Sequence, residues 1–141
     1  MSGITNRGAK IVLDTFTQAQ STNQYKLALC TATTIPDATT NTLSELTEIA
    51  AGNGYIAGGI TINAPTSIED DANNNATVTF PDVTFQATGG TIPASGDGIS
   101  YAVVVDQNQN VIAWYELGGP YQILDGGKLI IKEMTFTIST V

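Results

Sequence analysis

Histidine is absent from this 141-residue chain and cysteine occurs once, which removes most nucleophilic and metal chemistry at once. Ser-His-Asp and Cys-His arrangements and histidine-based zinc sites are all excluded. Cys30 lies in a strand-like run with no base beside it and reads as a buried, inert thiol. Thirteen acids make chance pairs of carboxylates common, and Glu116, Asp97 and Asp125 are the ones that loops at one end of a sandwich could gather. A glycosidase needs two such groups roughly 5 to 9 Å apart across a cleft, whereas acids in a soluble fold are mostly solvated. No enzyme is therefore expected.

Glu69-Asp70-Asp71 with Asn73 offers the hard oxygens a calcium ion takes, but a solvated acidic loop is the better account of the run. Asp106-x-Asn108-x-Asn110 opens like an EF-hand loop and then fails, with Val111 where glycine belongs and Leu117 where glutamate belongs. A hairpin turn accounts for it. The glycine pairs at 58–59, 89–90, 118–119 and 126–127 lack the Lys-Ser/Thr of a phosphate loop and read as turns and bulges. Trp114 and Tyr115, with Tyr101 on a neighbouring strand, are candidates for an aromatic sugar platform. Adjacent strand residues face opposite ways, so only one of Trp114 and Tyr115 can point outward. No cofactor is implied.

These residues need elements to hold them. Thr5 can cap a helix in which Ala9, Val12, Leu13 and Phe16 recur at i, i+3, i+4 and i+7, giving residues 1–20 a helical N-terminal segment. The polar run over 18–23 ends the pattern. Tyr25, Leu27 and Leu29 then alternate with Lys26, Ala28 and Cys30, predicting a half-buried strand over 24–32. Thr42-x-x-Glu45 has capping-box spacing and predicts a short helix over 43–50. Strand patterns follow at 60–62, 76–80 and 83–87, with a loop over 67–75 and another over 88–98. Residues 99–105 and 111–117 read as a hairpin through Asp106–Asn110. Residues 128–141 read as one closing strand with Ile130, Met134, Phe136 and Ile138 on one side. The expected fold is mainly β: an antiparallel β-sandwich or Greek-key barrel with an N-terminal helix and one short internal helix, in a single domain spanning 1–141.

The net charge of −8, with bases only at Arg7, Lys10, Lys26, Lys128 and Lys132, supplies no cluster for nucleic acid or an anionic membrane. No apolar run approaches the roughly 20 residues a membrane helix needs, and the first ten residues lack a signal peptide's apolar core. Only 13% of residues are charged, against a usual quarter, so the surface must be polar but weakly charged. Such a surface can be buried against another protein without stranding ions.

Four segments carry a resemblance: MSGITNRGAK at 1–10, LSELTEIAAGNGY at 43–55, GGTIPASG at 89–96 followed by Tyr101-Ala102-Val103, and AWYELG at 113–118. In this order and over most of the chain, they resemble a family of small virion structural proteins of tailed bacteriophages. The resemblance implies a β-rich accessory subunit, first of all a capsid cement or decoration protein that stabilises the head by bridging major capsid subunits. Its partners would be the major capsid protein and further copies of itself, a homotrimer first. It would be made in the host cytoplasm and sit on the capsid exterior. A tail or baseplate component is the nearest alternative, and a carbohydrate- or receptor-binding module the alternative of another class. The expected interface residues are Arg7 and Lys10 on the N-terminal segment and the Trp114-Tyr115 pair.

Overall fold

A computed structural model describes residues 2–18 and 24–140 of the chain. Residues 1, 19 and 20 of the expected helical segment, and 19–23 of the polar run after it, lie outside the described residues. The fold is mainly β. Among the described residues, one N-terminal helix, α1 (Asn6–Gln18), precedes nine strands, which pair antiparallel throughout. None of the three sheets closes into a barrel. Contacts gather into two compact units: Met1–Gln24, Ile62–Asp82 and Lys132–Val141 form the first, Tyr25–Thr61 and Val83–Ile131 the second.

In the first unit, strands β3 (Thr66–Asp70), β4 (Asn75–Thr79) and β9 (Thr135–Ser139) form a sheet in that order, and α1 packs on β3 and β4. Thr5 caps α1: its hydroxyl accepts from Gly8 N at 2.9 Å. Ala9 and Leu13 are buried, and Phe16 meets Phe80 and Phe136 edge-on, ring centres 6.1 and 5.2 Å away. Val12, expected on the buried stripe, is instead 52% exposed. Polar contacts turn the helix: Asn6 donates to Asp71 at 3.0 Å, Arg7 pairs with Glu69, and Asp14 accepts from Ser67, which draws that flank onto the sheet.

The loop expected over 67–75 is shorter than the sequence suggests. Residues up to Asp70 form β3, paired with β4 from Thr66↔Thr79 to Asp70↔Asn75, so only the turn between them is irregular. The closing strand is also two strands. Glu133 adopts φ +57, and the run splits into β8 (Lys128–Ile131) and β9. The break changes the alternation, so Ile131 is buried while Ile130, expected inside, is exposed.

In the second unit, β1 (Lys26–Cys30), β2 (Ile60–Thr61), β6 (Ile99–Val105) and β7 (Val111–Tyr121) form a sheet in the order β2-β1-β6-β7. Strand β5 (Val83–Gln86) pairs with β8 as a two-stranded ribbon. The expected β6–β7 hairpin is present, its turn held by Asp106 Oδ1, which accepts from Asn108 N and Asn110 N at 2.9 Å each. Strand β1 is not half-buried as its alternation suggested. From Leu27 to Cys30 it is buried on both faces. Ala28, Cys30, Tyr101, Val103 and Val105 share one face under Leu43 and Leu46.

The helix expected over 43–50 reduces to one 3₁₀ turn, Leu43–Glu45. Glu45 does reach back, accepting from Asn41 N and Thr42 N at 2.7 and 2.6 Å. The chain then leaves helical geometry because β1 needs a neighbour there: Thr31 N donates to Thr47 O at 2.8 Å and Ile49 N to Leu29 O at 3.0 Å. Between those bonds and β2, Leu29 N is answered by the Tyr55 hydroxyl at 3.0 Å, which itself donates to Glu48 at 2.9 Å.

Candidate functional site

The expected interface residues fall on one helix of the first unit and one strand of the second. On α1, the Arg7 side chain is 73% exposed, yet its Nε donates to Glu69, whose carboxylate raises the guanidinium pKa further. Lys10 Nζ lies 2.9 and 3.0 Å from the two oxygens of Asp14, one turn along the same helix. Asp14 is held below the usual carboxylate range, first by the Ser67 hydroxyl and second by Lys10. Both bases are thus answered within the unit. Outward, α1 presents Ile11 (58% exposed) and Val12 among the exposed polar residues Arg7, Thr15 and Gln18, and Ile4 is exposed just before the helix. The neighbours Ile11 and Val12 are visible in the sequence, but Val12 also fits the stripe through Leu13.

On β7 the structure separates Trp114 from Tyr115. Trp114 is 39% exposed and pairs with Val103, so it shares the face of the Cys30–Val103 cluster. Tyr115 pairs with Ala102 on the opposite face and is half-buried, which pushes its phenol up to about 12. Tyr101 is buried within the cluster. The three aromatics therefore do not form one exposed platform.

Strand β7 is also the last of its sheet. At its start, Val111 N donates to Asn41 O at 2.8 Å, and Leu43 N to Gln109 O at 3.0 Å. Beyond that point no described strand pairs with its outer edge. Edge strands in monomers are usually defended by lysine, proline, a short length or a covering loop. A bulge and Pro120 close its far end, but from Val111 to Leu117 this strand carries no lysine and no proline, a single charge at Glu116, and exposed Ile112 and Trp114. Edge position is a property of strand order, which one sequence does not display.

Of the other chemically suggestive residues, Glu116 and Asp97 are exposed and make no side-chain hydrogen bond or ion pair, and the rest have local partners or are buried. In the acidic turn, Glu69 takes Arg7, Asp71 accepts from Asn6, and Asp70 accepts from Asn73 N and Nδ2 at 3.1 and 2.7 Å. Among the described residues, no three His, Cys, Asp or Glu side chains gather as metal ligands do. Asp125 accepts from Gly89 N at 3.0 Å. Burial pushes the Cys30 thiol up to about 12, with the Glu48 charge adding to the shift, so it stays protonated at neutral pH. Among the described residues no helix is long and apolar enough to cross a membrane. No family model, curated protein or solved structure matches the chain.

Proposed function

We propose that this chain is a structural subunit of a tailed-bacteriophage particle, a capsid cement or decoration protein on the capsid exterior that binds further copies of itself and the major capsid protein. The observation that carries the reading is the outer edge of β7 between its first residue and the bulge before Pro120, which no described strand covers, with Ile112 and Trp114 exposed along it. Unpaired strand N–H and C=O groups are a template for another chain, and a half-exposed tryptophan is the kind of anchor that dominates interface energy. The sparse surface charge supports the same reading, because few ions need be desolvated when roughly 800 Å² per partner is covered. A subunit that binds only the assembled shell stabilises it by mass action and needs no catalytic group.

The edge also constrains symmetry. Two β7 edges paired with each other give a two-fold dimer, whereas a trimer requires β7 to meet a different surface of the next copy. The homotrimer is proposed in that heterologous form. Imaging intact particles tests the reading: the subunit should appear at capsid symmetry axes. Stacked rings along a tail would move it to the tail, and absence from purified particles would overturn it.

A further inference from the structure

The second unit has another open strand edge, on β8. Strand β8 pairs with β5 on one side, and among the described residues neither a strand nor any other backbone group bonds to its far side. The register decides which groups are left over there. Ala87 N donates to Gly127 O at 3.0 Å, so by the alternation of an antiparallel ladder Leu129 and Ile131 turn their N–H and C=O toward β5, and Lys128 and Ile130 turn theirs to the open side. The side chains of these two share the exposed face. Ile130 is 46% exposed, and the exposed Lys128 ammonium makes no hydrogen bond or ion pair among the described residues.

The same alternation sorts the groups of β7. Leu29 N and O bond away from β6, to the Tyr55 hydroxyl and to Ile49 N. Ala102, opposite Leu29, therefore turns its own groups to Tyr115 of β7, which leaves the N–H and C=O of Trp114 and Glu116 pointing outward. Both side chains are exposed, and the Glu116 carboxylate has no partner among the described residues. Each edge thus carries two outward residues two positions apart: an aromatic and an acid on β7, an aliphatic and a base on β8.

We infer that the surface of the next copy met by β7 is the open edge of β8, the two strands pairing antiparallel with Trp114 opposite Ile130 and Glu116 opposite Lys128. The inference rests on the self-association proposed above and names its second surface. In this register the outward main-chain groups of all four residues meet, Trp114 packs on an aliphatic side chain, and the one charge of β7 meets its opposite. A slip of one residue would set outward groups against inward ones. Parallel pairing that kept Trp114 on Ile130 would carry Glu116 past Ile131, the end of β8. Two β7 edges facing each other and centred on Trp114 would set Glu116 against Ile112. The β7–β8 contact joins unlike surfaces and so repeats from copy to copy, as the trimer requires.

The test is sedimentation equilibrium of the purified full chain over a range of concentrations. The unmodified chain should associate. Glu116→Lys and Lys128→Glu each set like charges opposite one another, and each should weaken association about fivefold or more. The double variant restores an opposite pair and should return to within about twofold of the unmodified chain, which also shows that neither change merely unfolds it. The inference is overturned if the chain stays monomeric, if either single substitution leaves association unchanged, or if the double variant is no better than the singles. Sensitivity to Glu116→Lys alone would mean that β7 does not meet β8. Any of these results with the subunit still present on purified particles removes the β7–β8 contact and leaves the proposed function standing, whereas absence from particles removes the proposed function whatever the oligomer does.

Discussion

Every residue of β6 and all of β1 except Lys26 are buried, whereas α1 buries two of its thirteen residues. The sheet centre of the second unit is held by apolar area on both faces plus a backbone ladder. The helix of the first unit is held by a narrower apolar strip through Leu13 and Phe16 and by a row of polar contacts from Asn6, Arg7 and Asp14. The difference teaches where each region is vulnerable. Apolar burial is nearly indifferent to pH and salt but intolerant of lost volume, while contacts at exposed ions yield to screening and protonation.

The largest effect expected from that contrast is Leu29→Ala. Leu29 is fully buried next to the end of β1, and truncation should cost about 2–5 kcal/mol, read as a lower denaturant midpoint of the full chain. A loss no larger than that of a surface substitution would mean that this sheet is loosely packed and the contrast false.

Next comes Tyr55→Phe. The phenol holds Leu29 N and donates to Glu48, whose carboxylate also accepts from Gly58 N at 2.5 Å, so one hydroxyl joins the β1 edge to the loop beside β2. Burial raises this phenol well above its ordinary pKa, so it remains a donor at any moderate pH. Removing it strands a buried N–H, at a cost of about 1–3 kcal/mol. Hydrogen exchange at Leu29 should rise in step, and an unchanged Leu29 amide would show that water replaces the phenol.

How much of this was legible in the sequence depends on whether local chemistry or strand order decided the outcome. The Thr5 cap, the Asp106 turn and the alternation Val83-Phe85 were all readable because each is satisfied within a few residues. Strand β3 was hidden because Thr66, Ser67, Glu69 and Asp70 carry no apolar alternation; it exists through its ladder to β4. The helix over 43–50 lost to the need of β1 for an edge partner, a long-range demand no capping box reveals. At the proposed interaction surfaces, the residue types of Arg7, Lys10 and Trp114 were visible. That the bases are spent on Glu69 and Asp14, and that β7 ends its sheet, depends on contacts far apart in sequence.

Acid offers the finest discrimination between the two regions. Asp14 has a folded pKa below its unfolded value near about 4. Its contribution is therefore fully present above that value and disappears as the pH falls through the depressed one. Asp37 and Glu45 in the second unit are lowered too, the first by Thr39 and the second by the Thr42 and Asn41 amides, but they secure surface turns and not β1 or β6. Going from about pH 6 to about pH 3, amide protection should fall in Asn6–Gln18 while Leu27–Cys30 and Ile99–Val105 keep theirs. Asp14→Asn, which can still accept from Ser67 but carries no charge for Lys10, should flatten that pH dependence and lower helix protection slightly at neutral pH. If α1 stays protected into strong acid in the unmodified chain, the ring contacts of Phe16 hold it alone, and its polar flank only sets the rotation that leaves Val12 in solvent.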